Sequence, residues 1–431
     1  MTNDWVEKEI DDVAEVIGGG TPSTKDESNF GGDIAWITPK DLSGYSSRYI
    51  SRGERNITEK GLRNSSARLL PKGSVLLTTR APVGYLAISA NPVTTNQGFH
   101  SLVPKTGYDA EFIYYLLKAN VEILKSHSTG TTFGELTGSV LRRLRFCFPA
   151  YKEQRAIAHI LGTLDDKIEL NRQMNATLEA IARALFKSWF VDFDPVRAKA
   201  EGRQPAGMDA ETAALFPDAF VDSELGKIPR GWRVAPLPEV FEVNPSRSLK
   251  NGDIAPYLDM ANMPTQGHRA IDWLSRPFGS GTRFINGDTL VARITPCLEN
   301  GKTAFVDFLA DGQVGWGSTE YIVLRPKPPL PLEYAYLLAR GEDLRAHLIQ
   351  NMTGTSGRQR APASCLDQYL MVVPSQEVAR RFDGFIRPVF ATIRANDEQS
   401  RTLAALRDAL LPKLISGEIR IKDAVRLIPR I

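Results

Sequence analysis

The chain has 431 residues, and at roughly 150 residues per domain that length predicts two to three domains, each with a core of its own. With 42% hydrophobic and 24% charged residues it is neither an intrinsically disordered chain nor a membrane protein, since no apolar run approaches the 18 or so residues of a span. Net charge is only +3, and Cys147, Cys297 and Cys365 are too far apart for a disulfide framework or a paired-cysteine metal knuckle.

The chain opens Met1-Thr2-Asn3-Asp4-Trp5 and turns acidic, without the basic and then apolar pattern of a secretory signal, so a cytoplasmic location is expected. Short apolar runs between Gly, Pro, Asn and Asp predict strands at Ser74–Thr79 and Tyr85–Ala90, and helical spacing of Phe112, Tyr115, Leu116 and Val121 predicts a helix over about 109–126. Residues 48–80 are locally basic, with Arg48, Arg52, Arg55, Lys60, Arg63, Arg68, Lys72 and Arg80 against Glu54 and Glu59. This is either a solvated surface or a phosphate-contacting face.

From Lys152 to Phe190 there is no proline, and Leu164, Ile168, Asn171, Asn175, Leu178, Ala182, Leu185 and Trp189 step by four and three in turn, a heptad seam. A helix of that length runs to nearly 60 Å and carries an apolar stripe that needs a partner. Residues 195–230 hold many Pro and Gly and read as an exposed linker. The second half repeats the first: strands at Ala304–Leu309 and Tyr321–Leu324, a helix over about 332–350, and a second seam through Val389, Ile393, Asn396, Ser400, Leu403 and Leu410. Laid over 374–411, residues 149–186 match at nine positions, Pro149 with Pro374, Asn171 with Asn396 and Leu178 with Leu403 among them, which marks a tandem duplication. Arg407 breaks the second seam, and Pro388 predicts a late start or a kink.

The expected fold class is α+β, with two pseudo-symmetric globular domains separated by a long antiparallel two-helix coiled coil. Its expected parts are 1–150 (first domain), 151–192 (long helix), 193–229 (linker), 230–373 (second domain), 374–417 (second long helix) and 418–431 (tail). Parallel pairing stays open, because the linker is long enough to span the rod. A rod of this length exceeds one turn of B-DNA, about 34 Å, so two domains at its ends would suit two short sequences with an unread gap between them.

Catalytic signatures are missing from the sequence. The Gly-Lys pairs at Gly226-Lys227 and Gly301-Lys302 lack the leading glycine of a P-loop, and the five histidines are scattered singly. Asn91-Pro92-Val93-Thr94 and Asn244-Pro245-Ser246-Arg247 lack the second proline and the aromatic of an amino-methyltransferase loop. No metal and no cofactor is expected on this chain. Two other readings are a coiled-coil scaffold without a DNA role and a degenerate DNA methyltransferase.

Trp36-Ile37-Thr38-Pro39-Lys40-Asp41-Leu42, the Gly73–Gly84 segment with Thr79-Arg80, the Asn96-Gln97 pair, Ser128-Thr129-Gly130-Thr131, and Pro149-Ala150-Tyr151-Lys152-Glu153-Gln154 leading into the long helix together resemble the specificity subunits of Type I restriction-modification systems. The resemblance covers nearly the whole chain. It implies that 1–150 and 230–373 are target recognition domains for the two halves of a gapped sequence in double-stranded DNA, and that the long helices are spacers. It implies further that the subunit has no catalysis of its own and holds two methyltransferase subunits, which modify adenine at N6 and carry restriction subunits; S-adenosylmethionine, ATP and Mg are used by those partners.

Base reading takes Arg or Lys for guanine and Asn or Gln for adenine. On that basis the DNA-binding candidates are Thr38, Lys40, Arg80, Asn96, Gln97 and Thr131 in the first half, and Asn262, Gln266, Arg293, Arg358 and Arg360 in the second. The second half departs from the first at Tyr257–Asn262 and at Gly357-Arg358-Gln359-Arg360, so the two half-sites should differ. Leu170, Ile181, Phe186 and Phe190 are candidates for binding the methyltransferase, with a place in the core as the other reading.

Overall fold

The computed structural model describes residues 5–80, 82–128, 134–270, 272–355 and 357–427. The fold is α+β, with two domains and a pair of long antiparallel helices. It resolves into two compact units: residues 1–171 with 398–431, and residues 172–397. Both long helices, Tyr151–Phe190 and Gln376–Ile415, are cut near their middles by this division, so each unit holds one domain and half of each helix.

In the first unit a five-stranded sheet has the order Ala14–Gly18, His100–Pro104, Val75–Thr79, Val83–Ser89, Tyr49–Ile50. Its central strand is buried at every position, because both of its faces are covered. Val75 and Leu77 pack with the helix Ala110–Ala119 through Phe112, Tyr115 and Leu116. Leu76 faces the other way, into a cluster with Val93, Phe99 and Ile37, the last from a smaller sheet ordered Arg55–Ile57, Phe30–Ile37, Thr94–Thr95. Asp109 caps the helix by accepting the Phe112 N–H at 2.9 Å, and a second helix, Val121–Ser126, follows Asn120 directly. Residues 109–126 are therefore two helices meeting at Asn120, where one was expected.

The second unit repeats this plan. One four-stranded sheet runs Phe241–Val243, Tyr321–Pro326, Thr289–Ala292, Thr303–Phe305, and another runs Leu274–Pro277, Ile254–Leu258, Gly315–Gly317, Thr282–Phe284. Gly341 divides the expected helix into Glu333–Arg340 and Glu342–Gln350. In each unit one strand pair joins the start of the domain to its end: Val6–Glu9 with Arg145–Phe148, and Arg233–Pro236 with Leu370–Val373.

Within each unit the two helices run antiparallel. In the first, Asp165 meets Arg407 and Asn171 meets Ser400, so partner numbers fall as residue numbers rise. In the second, Asn175 meets Asn396 at 2.9 Å while Trp189 packs on Phe382. The polar seam residues bond to one another, Asn171 donating to Ser400 at 3.2 Å and Asn396 to Asn175 at 2.9 Å, and Gln399 and Asp397 beside the seam accept from Asn171 and Asn175 as well. Polar side chains matched across a helix pair, here the buried Asn171 and the half-buried Asn175, Asn396 and Ser400, penalise other registers, which is the physical use of such residues. Arg407, the apparent fault in the seam, turns inward to Asp165 at 2.6 Å.

Three expectations are corrected. Pro388 neither delays nor divides its helix, which is a single element from Gln376 with the proline on its exposed side. The segment 193–229 is a folded part of the second unit and not an exposed linker. It forms the helices Asp194–Ala200 and Ala210–Ala214 and a hairpin of Phe220–Ser223 with Gly226–Pro229, and Phe193, Val196, Phe216 and Ile228 are buried. Its glycines are turns, Gly202, Gly207 and Gly226 having positive φ, between aromatic residues that join the core. Part of the expected tail is likewise helical, Ile421–Leu427, with Ala424 fully buried.

Candidate nucleic-acid interface

In the first domain the buried strand Val75–Thr79 delivers Arg80 to the surface. The segment behind the Thr-Gly-Thr motif lies against it: Leu136 donates its N–H to the Thr79 carbonyl at 2.9 Å, and Glu135 stands 3.9 Å from Arg80. The second domain builds the same feature from different residues. Thr289–Ala292 delivers Arg293, and the Thr353–Arg360 loop folds onto it through paired backbone hydrogen bonds between Thr353 and Arg360 and a bond from the Ala361 N–H to the Arg293 carbonyl. Glu320, mostly buried, accepts from Arg293 at 3.2 Å and from Arg360 at 2.7 Å. Arg293, Arg358 and Arg360 are thereby gathered into one place, with the Arg358 side chain exposed.

The remaining candidates divide by what already occupies them. Thr38 forms a capping box with Asp41, which accepts from both its hydroxyl and its N–H. Asn96 accepts the Gly98 N–H and Asn262 bonds to Asp259, so both shape their own turns. Lys40 is exposed but bound to Glu54 at 2.6 Å, and Gln97 accepts from Thr21. Gln266 is exposed. Thr131 lies outside the described residues.

Of the basic segment, Arg48 is not available to a ligand: it is 8% exposed, donating to Asp166 at 2.8 Å and to the Tyr115 hydroxyl at 3.0 Å. Tyr115 in turn donates to Asp165 at 2.6 Å, the same carboxylate that binds Arg407. This network fixes the first domain to both helices. Gly162 is required beside it, since a Cβ there would stand 2.5 Å from Arg48 Nη1. In the second unit the repeat-equivalent Tyr336 donates to Glu179 and accepts from Arg340 at 3.0 Å. Burial raises both phenols far above the ordinary tyrosine range, so they act here as neutral donors. The sequence singled out neither Glu320 nor this network as a whole.

His100 sits beside Arg80's strand, its ring 2.8 Å from the Thr79 hydroxyl, and burial next to Arg142 lowers its pKa. A histidine held neutral in the folded state contributes stability that is complete above the ordinary value of about 6.5 and is lost as pH falls from there through the lowered pKa. Thermal melts are expected to drop on acidification over that window, and His100→Gln to flatten the drop.

The four residues considered for the methyltransferase separate cleanly. Leu170 and Ile181 are exposed on the first long helix, at 49% and 53%. Phe186 and Phe190 are core residues and offer no surface to a partner: Phe186 packs edge-on to Tyr334 at 4.8 Å and Phe190 to Phe382 at 4.8 Å. Both rings sit where the helix, its partner helix and the second domain meet, each touching Phe382 of the partner helix and Tyr334 of the domain. Among the described residues no group of three His, Cys, Asp or Glu is placed to hold a metal ion, and no helix is long and apolar enough to cross a membrane.

Known proteins resemble this chain along its length. Residues 2–180 match the family model described as the Type I restriction modification DNA specificity domain. The Type I restriction enzyme MjaIX specificity subunit of Methanocaldococcus jannaschii is 35% identical over 435 residues, covering 98% of this chain and 95% of that protein. The HindI specificity subunit of Haemophilus influenzae is 26% identical over 472 residues, covering 97% and 100%. In fold, the crystal structure of a Type I restriction-modification system S subunit from M. genitalium aligns with a TM-score of 0.59 at 15% identity over 96% of each chain.

Proposed function

Because this chain belongs to the family of Type I restriction enzyme specificity subunits, we propose that it reads a two-part, gapped DNA sequence, one recognition domain to each half, and scaffolds two methyltransferase subunits. The observation that carries the reading is the repeated surface feature: an arginine at the end of a buried strand, with the segment behind Thr-Gly-Thr laid against it, built once in each unit from dissimilar residues. A shared frame with different side chains is what two readers of different half-sites require.

In this reading the chain performs no chemistry. The methyltransferase subunits bring S-adenosylmethionine and modify adenine at N6, and restriction subunits attached through them use ATP and Mg. The complex works in the cytoplasm, where the host DNA is. The sequence candidates Arg80, Arg293, Arg358 and Arg360 approach the grooves, with Lys40 and Gln266 at the margin.

Leu170 and Ile181 serve the methyltransferase contact, being large apolar side chains that neither the seam nor the domains cover. Leu170→Glu with Ile181→Glu is expected to leave the melting temperature of the chain within a degree or two and to abolish co-purification with the methyltransferase. The function itself is tested by co-expressing the chain with its methyltransferase subunits and measuring methyl transfer to a DNA library. Transfer confined to one gapped motif supports the proposal, and transfer without sequence preference refutes it.

A further inference from the structure

The small sheets of the two domains share a topology that their sequences conceal. In the first unit the strand Phe30–Ile37 has Arg55–Ile57 antiparallel on one side and Thr94–Thr95 parallel on the other. In the second, Ile254–Leu258 has Leu274–Pro277 antiparallel and Gly315–Gly317 parallel. The middle strands, ending in Trp36-Ile37 and Tyr257-Leu258, have diverged, yet each antiparallel neighbour carries an exposed arginine over an aromatic ring. Arg55, opposite Trp36, lies 4.1 Å from the Phe30 ring centre, and Phe30 is edge-on to Trp36 at 5.8 Å. Arg276, opposite Ala255 and so two residues along its strand from the register position that Arg55 holds, lies 4.5 Å from the Tyr257 ring centre, and Tyr257 packs on Trp316 at 4.4 Å. Trp36 and Trp316 are both 6% exposed, so each platform is anchored in the core.

We propose that Arg55 and Arg276, which lie on the equivalent antiparallel neighbour strand two register positions apart, are DNA-contacting arginines of the two recognition domains, each a guanidinium fork held on an aromatic platform for a pair of acceptor oxygens or nitrogens on its own half-site. The proposal rests on the specificity-subunit reading and goes beyond the candidates above. Charge availability favours these two. Lys40, Arg80, Arg293 and Arg360 each have a carboxylate partner, whereas Arg55 and Arg276 have neither an ion pair nor a side-chain hydrogen bond among the described residues; Arg358 is equally without an ion pair but, unlike these two, stacks on no ring among the described residues.

Stacking uses the face of the guanidinium and leaves the in-plane N–H groups directed outward, and it restricts the side chain before any ligand arrives. Beside Arg55 a cleft of about 400 Å³ is lined by Gly31, Gly32, Arg52, Glu54 and Asn56, with Glu54 already bound to Lys40. Gly32 cannot carry a side chain, since a Cβ would stand 2.6 Å from the Ile57 carbonyl, and Gly31 has a φ of +82°, so the wall of this cleft is bare backbone. The acceptor pair is either the O6/N7 edge of guanine or a backbone phosphate, both of which match the fork.

The test uses the complex with its methyltransferase subunits and the motif that the wild-type complex methylates. Arg55→Ala and Arg276→Ala are expected to weaken binding and methylation roughly 10- to 100-fold at unchanged melting temperature, and the lysine variants to recover only a small part. If the contact is to guanine, each variant loses discrimination in one half-site alone. If it is to phosphate, affinity falls alike for all sequences and the salt slope drops by about one. Both results place the arginine on DNA. Affinity and methylation within twofold of wild type for both alanine variants overturn the proposal. A wild-type complex that methylates no gapped motif refutes instead the specificity reading, and that is known before any variant is compared.

Discussion

Exchanging residues 1–150 for the recognition domain of another specificity subunit is expected to change one half of the methylated sequence and leave the other half and the gap untouched. A half-site of three base pairs, each costing about 1–3 kcal/mol when mismatched, sets the loss on the original target at roughly a hundred-fold or more. The exchange works only if the incoming domain keeps the contacts that fix it to the helices: Arg48 with Asp166, and Tyr115 with Asp165. Sequencing of methylated DNA from cells carrying the hybrid reads the outcome, and a change in both halves would sink the one-domain, one-half-site assignment.

The second large effect is on stability. Phe382, fully buried, is the hub of an aromatic cluster in the second unit, with Phe186, Trp189, Phe190 and Tyr334 around it. Phe382→Ala removes a ring with no solvent-exposed surface and leaves a cavity in a rigid surround, so a loss of about 3–5 kcal/mol is expected. Phe385, three residues on and 40% exposed, provides the internal control: Phe385→Ala should cost about 1 kcal/mol or less. Denaturant melts of the two variants compare the values directly, and equal losses would contradict the burial pattern.

What the sequence disclosed follows from the kind of signal each feature leaves. A heptad seam is local and periodic, so both long helices and the faces they turn to each other could be read from the spacing of Leu164, Asn171 and Leu178 and of Ile393, Asn396 and Leu403. The folded segment 193–229 was hidden because its prolines and glycines outnumber Phe193 and Phe216, whose burial depends on a core cluster with Trp232 and Phe382. Phe186 and Phe190 were ambiguous for a related reason: a helix with two apolar faces does not say in sequence which one meets a partner outside the chain.

At the interface, residue type alone was a poor guide. Thr38 stands three residues before Asp41, a spacing that marks a helix cap as readily as a reader of bases, and the cap is what forms. Glu320 lies 27 and 40 residues from the two arginines it holds, and no short-range pattern connects them. Arg55 and Arg276 acquire their meaning from which strands become neighbours, and strand pairing across dozens of residues is a property of the fold.

The central claim is that this chain chooses the DNA sequence at which a methyltransferase acts. It is tested most directly by mapping N6-methyladenine across the genome of cells that carry the methyltransferase subunits with and without this chain. The account predicts methylation at a single gapped motif with two dissimilar halves, present with the chain and lost without it. Methylation at the same positions in both cultures would contradict it.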